Sequence, residues 1–328
     1  MNLRSIFLGL TLCTSAALSL AVHAQSKNRV YPDHMVKVMV ALPAGGGVDM
    51  MARLVSQNLA AVTGQPFVVE NRAGASGRIG LPAVAKAAPD GHTLMVSPAS
   101  FLTTNKSIFK SLPYDPEADF APITKLANQA MVLVVKDHQK FPDTQAVLNT
   151  AKRQPNTLNY ATSGDGSPQH LAALMFQSGA KVQMNHVPYK GGALAINDLL
   201  SGTVDLLFAP LPEALPHIQA GKLQALAVMS DTRSELIPNV PTMAEAGLAN
   251  MVMQTWIGML APAQTPRPII DQLKQQVHTI LQREDIRKQL REAGMDVATT
   301  TPEEFQQTIA QEMRLHAQLI QAAGLKPQ

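Results

Sequence analysis

Val36-Lys37-Val38-Met39-Val40-Ala41-Leu42 runs into Pro43-Ala44-Gly45-Gly46-Gly47 and then into Val48-Asp49. The β-branched first stretch reads as a buried strand. Val48, Met51, Ala52, Val55, Leu59 and Val62 follow at helical spacing. Strand, glycine turn and helix are thus set end to end. Phe67-Val68-Val69-Glu70 is a second strand, 81–88 a helix and His92-Thr93-Leu94-Met95-Val96 a third strand. This βαβαβ order predicts a parallel sheet with helices on both faces.

The same grammar returns after the proline-rich turn at 112–116. Strands are expected at 131–135, 158–161, 181–187, 204–208 and 226–229, with helices at 144–153, 169–178 and 193–200. A strand at 256–261 and helices at about 268–281 and 302–323 close the chain, and these two helices are expected to pack on the first unit. The chain would then cross between two lobes near 126–131 and 229–231. That gives one lobe of 25–127 plus 231–328 and another of 128–230; one large continuous sheet is the alternative the pattern leaves open.

The N-terminus has the form of an export signal. A short cationic start with Arg4 precedes an apolar run over 6–22, and Val22-His23-Ala24 offers small residues before a cut after Ala24. The apolar run is short beside the roughly 20 residues a membrane span needs. Cys13 is the only cysteine, so a cleaved chain has no disulfide, thiol or zinc–thiolate chemistry. Its stability must come from its core, and a chain of about 300 residues buries about 75% of its unfolded surface. The formal charge of +3 is scattered and aromatics are few, which argues against nucleic acid as a partner.

Small, polar turns sit where strands end. The glycines at 45–47 let backbone approach a ligand, and the following helix start offers unpaired amides with partial positive charge. Together these make an anion site; a plain tight turn with Asp49 complementing the dipole is the other reading. Thr162-Ser163-Gly164-Asp165-Gly166-Ser167-Pro168-Gln169-His170 repeats the design, with Ser167 as helix cap and Pro168 in the first turn. His170 stands one turn inside that helix, as a ligand contact or as a structural histidine. Ser76, in 71–78, and Ser97 and Ser100, after the third strand, occupy further strand ends, where open parallel sheets bind ligands. Lys190, in the turn after 181–187, reads as a solvated lysine. Enzyme signatures fail: the first glycine turn lacks a Gly-Lys-Ser/Thr ending, no Gly-x-Ser-x-Gly elbow occurs, and nine histidines show no metal spacing. No catalytic residue, metal or cofactor is expected.

Several runs resemble the Bug family, the TctC-like extracytoplasmic receptors of tripartite tricarboxylate transporters. They are Pro43-Ala44-Gly45-Gly46, Val68-Val69-Glu70-Asn71-Arg72, Pro89-Asp90-Gly91-His92-Thr93-Leu94, Leu112-Pro113-Tyr114-Asp115-Pro116, His186-Val187-Pro188-Tyr189-Lys190-Gly191, Val240-Pro241-Thr242-Met243-Ala244-Glu245-Ala246-Gly247 and Leu260-Ala261-Pro262-Ala263. The resemblance implies an α/β type II periplasmic binding protein fold, two lobes joined by two hinge crossovers and closing around one ligand. It implies a periplasmic, monomeric protein that captures a small organic acid for membrane permease components. It points to Ala44, Gly45, Gly46, Ser76, Ser163, Gly166 and Ser167 as positions that hold a carboxylate. A sensor docking a membrane signalling protein and a secreted hydrolase or transferase of small acids are the alternatives. Ala209 follows Val204-Asp205-Leu206-Leu207-Phe208 where the family often has aspartate, on a run expected to face the cleft.

Overall fold

A computed structural model describes residues 31–322, 324, 325 and 327. The expected signal segment lies outside them. The elements are β1 (Val36–Val40), α1 (Gly47–Thr63), β2 (Phe67–Asn71), α2 (Gly80–Ala85), β3 (Thr93–Pro98), α3 (Ala99–Thr103), α4 (Asn105–Ile108) and β4 (Phe120–Val135). Then come α5 (Thr144–Arg153), β5 (Asn159–Thr162), α6 (Pro168–Ala180), β6 (Asn185–Pro188), α7 (Gly192–Ser201), β7 (Leu206–Pro210), α8 (Leu211–Gln219) and β8 (Gln224–Val228). β9 (Gln254–Pro262), α9 (Arg267–Leu281), α10 (Glu284–Glu292), β10 (Asp296–Val297) and α11 (Pro302–Ala322) complete the chain.

Two sheet sections share the strand β4. In the first the order is β2-β1-β3-β9-β4, with β1, β2 and β3 parallel and β9 antiparallel to its neighbours. In the second it is β6-β5-β7-β4-β8, where β5, β6 and β7 are parallel and β4 is the antiparallel strand. The same order is therefore built twice, as in a type II periplasmic binding protein fold. The inner parallel strands β1, β3 and β7 are covered on both faces, and their runs are mostly apolar. Val36, Val38, Val40, Leu94 and Val96 are buried with Met51, Val55 and Leu59 of α1 on one side of the first sheet. Met39, Met95 and Leu260 pack on the other side with Phe305 and Ile309 of α11. The second section has its own two clusters, around Phe176 and Phe208 and around Leu199 and Leu207.

β4 extends further than the expected strand at 131–135. Its first residues pair with β9 and its last with β7 and β8, so one strand carries the chain across. The return crossing lies later than 229–231. Met243, Leu248, Met251 and Met253 are buried in a core of the second section, and Met253 N–H bonds Met229 C=O at 2.8 Å. α11 also departs from expectation: Phe305 and Ile309 pack in the first section, but Ile320 is buried in the second. The expected strand from 181 begins only at Asn185, because Lys181 ends α6 in a left-handed conformation with φ 53°.

At the crossing, Trp256 Nε1–H donates to Glu312 Oε2 of α11 at 2.8 Å. Burial pushes the Glu312 carboxyl up to about 7, against the opposing pull of that bond and of Lys125. Between the unfolded value near 4.5 and about 7 the folded state binds the extra proton, so ionisation costs stability as pH rises through that window. Glu312→Gln is expected to stabilise the protein by about 2 kcal/mol at pH 8, with the difference vanishing below about pH 4.5. Paired denaturant melts across that range check it; a pH-independent difference would contradict it.

Candidate functional site

The carboxyl ends of both parallel strand sets carry the turns singled out above. Ala44, Gly45 and Gly46 are exposed between β1 and α1. The first bond closing α1 runs from Met50 N–H to Gly46 C=O at 2.9 Å, so Gly47, Val48 and Asp49 N–H lie ahead of any helical acceptor. Gly45 itself differs from the expectation, since its N–H donates to Asp49 Oδ2 at 2.9 Å. Asp49, 3% exposed, also accepts from Arg53 Nε and Asn71 Nδ2, each at 2.9 Å. Burial works to raise this carboxyl, but the bonds from Arg53, Gly45 and Asn71 outweigh it and hold it below the usual range. Asp49 thus braces the turn by accepting from Gly45, Arg53 and Asn71.

The second section has two such helix starts. Ser167 Oγ caps α6 by accepting from His170 N–H at 3.3 Å. Gly166 N–H is engaged by His170 Nδ1 at 3.1 Å, so Gly166 is buried and offers no free amide. This overturns its reading as a donor to ligand. It also makes His170, 1% exposed, a structural residue whose ring pins the turn. Burial first, and then the stacked His186 ring at 4.0 Å, push His170 down to about 4, which keeps Nδ1 an acceptor. Asp165 Oδ1 lies 3.9 Å from His170 Nδ1 and 3.6 Å from His186 Nδ1. His170 Nδ1 accepts from Gly166 N–H and His186 Nε2 is bonded to the Thr162 hydroxyl at 2.7 Å, so hydrogen bonds brace the two rings. At α7 the first closing bond is Ala195 N–H to Gly191 C=O, 3.4 Å, which leaves the Gly192, Ala193 and Leu194 amides ahead of it.

The remaining expected residues divide. Ser76 is exposed in a left-handed turn with φ 54°, its carbonyl held by Asn105 Nδ2 at 2.8 Å. Ser163 is half-buried and donates its hydroxyl to Gln169 Oε1 at 2.8 Å. Ser97 and Ser100 are buried, Ser97 Oγ bonding Pro98 C=O at 3.1 Å. Ala209 is fully buried against Leu207, Leu211 and Val132, so it presents no surface to a cleft, contrary to expectation.

Three further side chains lie beside these turns: Gln129, which its sequence position did not signal, and Gln169 and Glu213, from the run 162–170 and from the run 209–213 expected to face the cleft. A β-carbon on Gly47 would lie 3.3 Å from Gln129 Nε2 and 3.2 Å from Met295 Cε. Gln129, 7% exposed on the crossing strand β4, therefore lies against the start of α1. Gln169 joins Ser163 to Glu213, donating from Nε2 to Glu213 Oε2 at 3.3 Å. The two sections also touch beside these residues: Gly294 packs on Pro212, and Gly166 on Ile108 and Thr104. A continuous path of contacts, Gly47–Met295–Gly294–Pro212–Glu213, links one set of helix-start amides to the other.

The chain is similar to several known proteins. Protein BugT of Bordetella pertussis is 35% identical over 297 residues, covering 90% of this chain and 91% of that protein. The solved structure of Rpa4515 from R. palustris with adipate is 32% identical, with TM-score 0.86, and covers 91% of this chain and all of that one (100%). MatC (Rpa3494) from Rhodopseudomonas palustris with bound malate is 31% identical, TM-score 0.80, covering 88% of this chain and 100% of that one. The model of the tripartite tricarboxylate transporter family receptor matches residues 51–325, and the chain belongs to that family of solute receptors.

Proposed function

We propose that the protein binds a small organic carboxylate between its two lobes, in the periplasm, and hands it to the membrane permease of a tripartite transporter without chemical turnover. The carrying observation is that glycine-framed helix starts end both parallel strand sets and are joined by the contacts running from Gly47 to Glu213. Amides ahead of a helix's first bond, with the dipole behind them, hold an anion without a counter-charged side chain. Adipate and malate in the related structures support a carboxylate as the ligand class. The two sheet sections serve as lobes that pivot where β4 and the chain at 253–254 cross, closing over the ligand.

A thermal-shift screen of mono-, di- and tricarboxylates and amino acids tests this. A ligand at 100 times its Kd stabilises the native state by about 2.7 kcal/mol, a clear rise in Tm. No shift with any acid at millimolar concentration, from folded protein, would reject the reading; turnover of a bound acid would reject its non-enzymatic part.

A further inference from the structure

We propose that Glu213 is the specificity-determining side chain of the second lobe, and that it selects ligands carrying a protonated nitrogen in addition to their carboxylate. The inference rests on the cleft being a carboxylate-binding site and assigns the other end of the ligand.

Glu213 lies in the first turn of α8, just past β7, so it shares the strand-end surface with the starts of α6 and α7. Its residue is exposed, yet its carboxylate is held in one place. Gln169, 2% exposed, points Nε2 at Glu213 Oε2, and the Ser163 hydroxyl fixes the other end of the same amide at 2.8 Å. Gly192 provides the space: a β-carbon there would lie 2.4 Å from Glu213 Oε2. The carboxylate thus rests over the first residue of α7. Its neighbour Pro212 touches Gly294 of the other lobe, which places Glu213 beside the interlobe seam.

Among the described residues, no lysine, arginine or histidine forms an ion pair with this carboxylate, and Gln169 is its hydrogen-bonding partner. A ligand set between the α1 amides and Glu213 meets donors at one end and, at the other, a carboxylate with no cationic side chain paired to it. A carboxylate suits the first end. A second carboxylate at the other end would be repelled or would have to share a proton. A protonated amine removes the imbalance and donates a charge-assisted hydrogen bond.

Calorimetry at pH 8 with matched probes tests the proposal: L-glutamate against glutarate, L-aspartate against succinate, and 5-aminopentanoate against pentanoate. Wild-type protein should bind at least one nitrogen-bearing acid about 10-fold or more tighter than its nitrogen-free partner. Glu213→Gln should abolish that preference, weakening the nitrogen-bearing acid and tightening its nitrogen-free partner, since a like charge is removed. Gly192→Ala, which displaces the carboxylate but keeps its charge, should reduce the preference too. Equal losses for both members of every pair in Glu213→Gln would overturn the proposal. So would a dicarboxylate preference that Glu213→Gln weakens, since that indicates a shared proton. If no acid binds folded protein, the carboxylate reading itself fails; if acids bind without nitrogen preference, only the role of Glu213 fails.

Discussion

Gly45→Val is expected to weaken carboxylate binding by about 100-fold or more, the loss of roughly two charge-assisted hydrogen bonds, while the protein stays folded. Gly45 has φ +90°, a region that β-branched residues avoid at a cost of about 1–3 kcal/mol. A β-carbon there would meet nothing within 4 Å, so strain rather than clash at that atom is the cause. Strain instead forces the turn to relax, which breaks the Gly45 N–H bond to Asp49 Oδ2 and swings the Gly47 and Val48 amides off target. Gly46→Ala is the control, since Gly46 has φ −84° and open space and tolerates a methyl group without strain. If the amides carry the affinity, valine at 45 should be far worse than alanine at 46, by calorimetry with the best acid from the screen. Equal, small effects would place the anion elsewhere.

Gly258→Ala is expected to be the most destabilising single-methyl change, by about 3 kcal/mol, with a Tm lower by roughly 5 °C or more. Gly258 is in β9, opposite Ser97 of β3 and Lys125 of β4. A β-carbon there would lie 2.2 Å from Phe305 Cζ and 3.1 Å from Trp256 Cζ3. Neither ring can yield easily. Phe305 is fully buried, and the two rings meet edge to face at 4.9 Å with Trp256 tied to Glu312. The glycine therefore admits an aromatic ring from α11 against the sheet. Phe305→Leu in the Gly258→Ala background should recover part of the loss, although Phe305→Leu alone destabilises. Such non-additivity is the signature of one shared space. Denaturant melts of the two singles and the double decide it; a Gly258→Ala change within 0.5 kcal/mol of wild type would contradict the packing account.

The strands and helices that sequence reading located well are those with an unbroken period. The helix at 144–153 and the apolar runs of β1, β2 and β3 needed only local spacing. β4 was half hidden for a local reason too: its pairing with β9 shifts between Pro122 and Thr124 and again between Lys125 and Ala127. Each irregularity breaks the two-residue alternation on which recognition of a strand depends. The short helices α3 and α4 are below the length at which a helical period can be counted.

The α/β class, the twice-built βα order and the glycine and serine turns at the strand ends were all legible in the linear chain, because propensity, periodicity and turn chemistry act over a few neighbouring residues. Packing in three dimensions decided which polar groups of those turns are already engaged within the protein. Gly45 and Gly166 look like amide donors until Asp49 and His170 are brought in to accept from them. Ala209 looks like cleft wall until Val132 and Leu211 cover it. Gln169 and Glu213, 44 residues apart, lie in two separate strand-end runs, and only folding joins them by a hydrogen bond. Whether a polar atom is engaged or free depends on partners supplied by folding, and no local pattern records them.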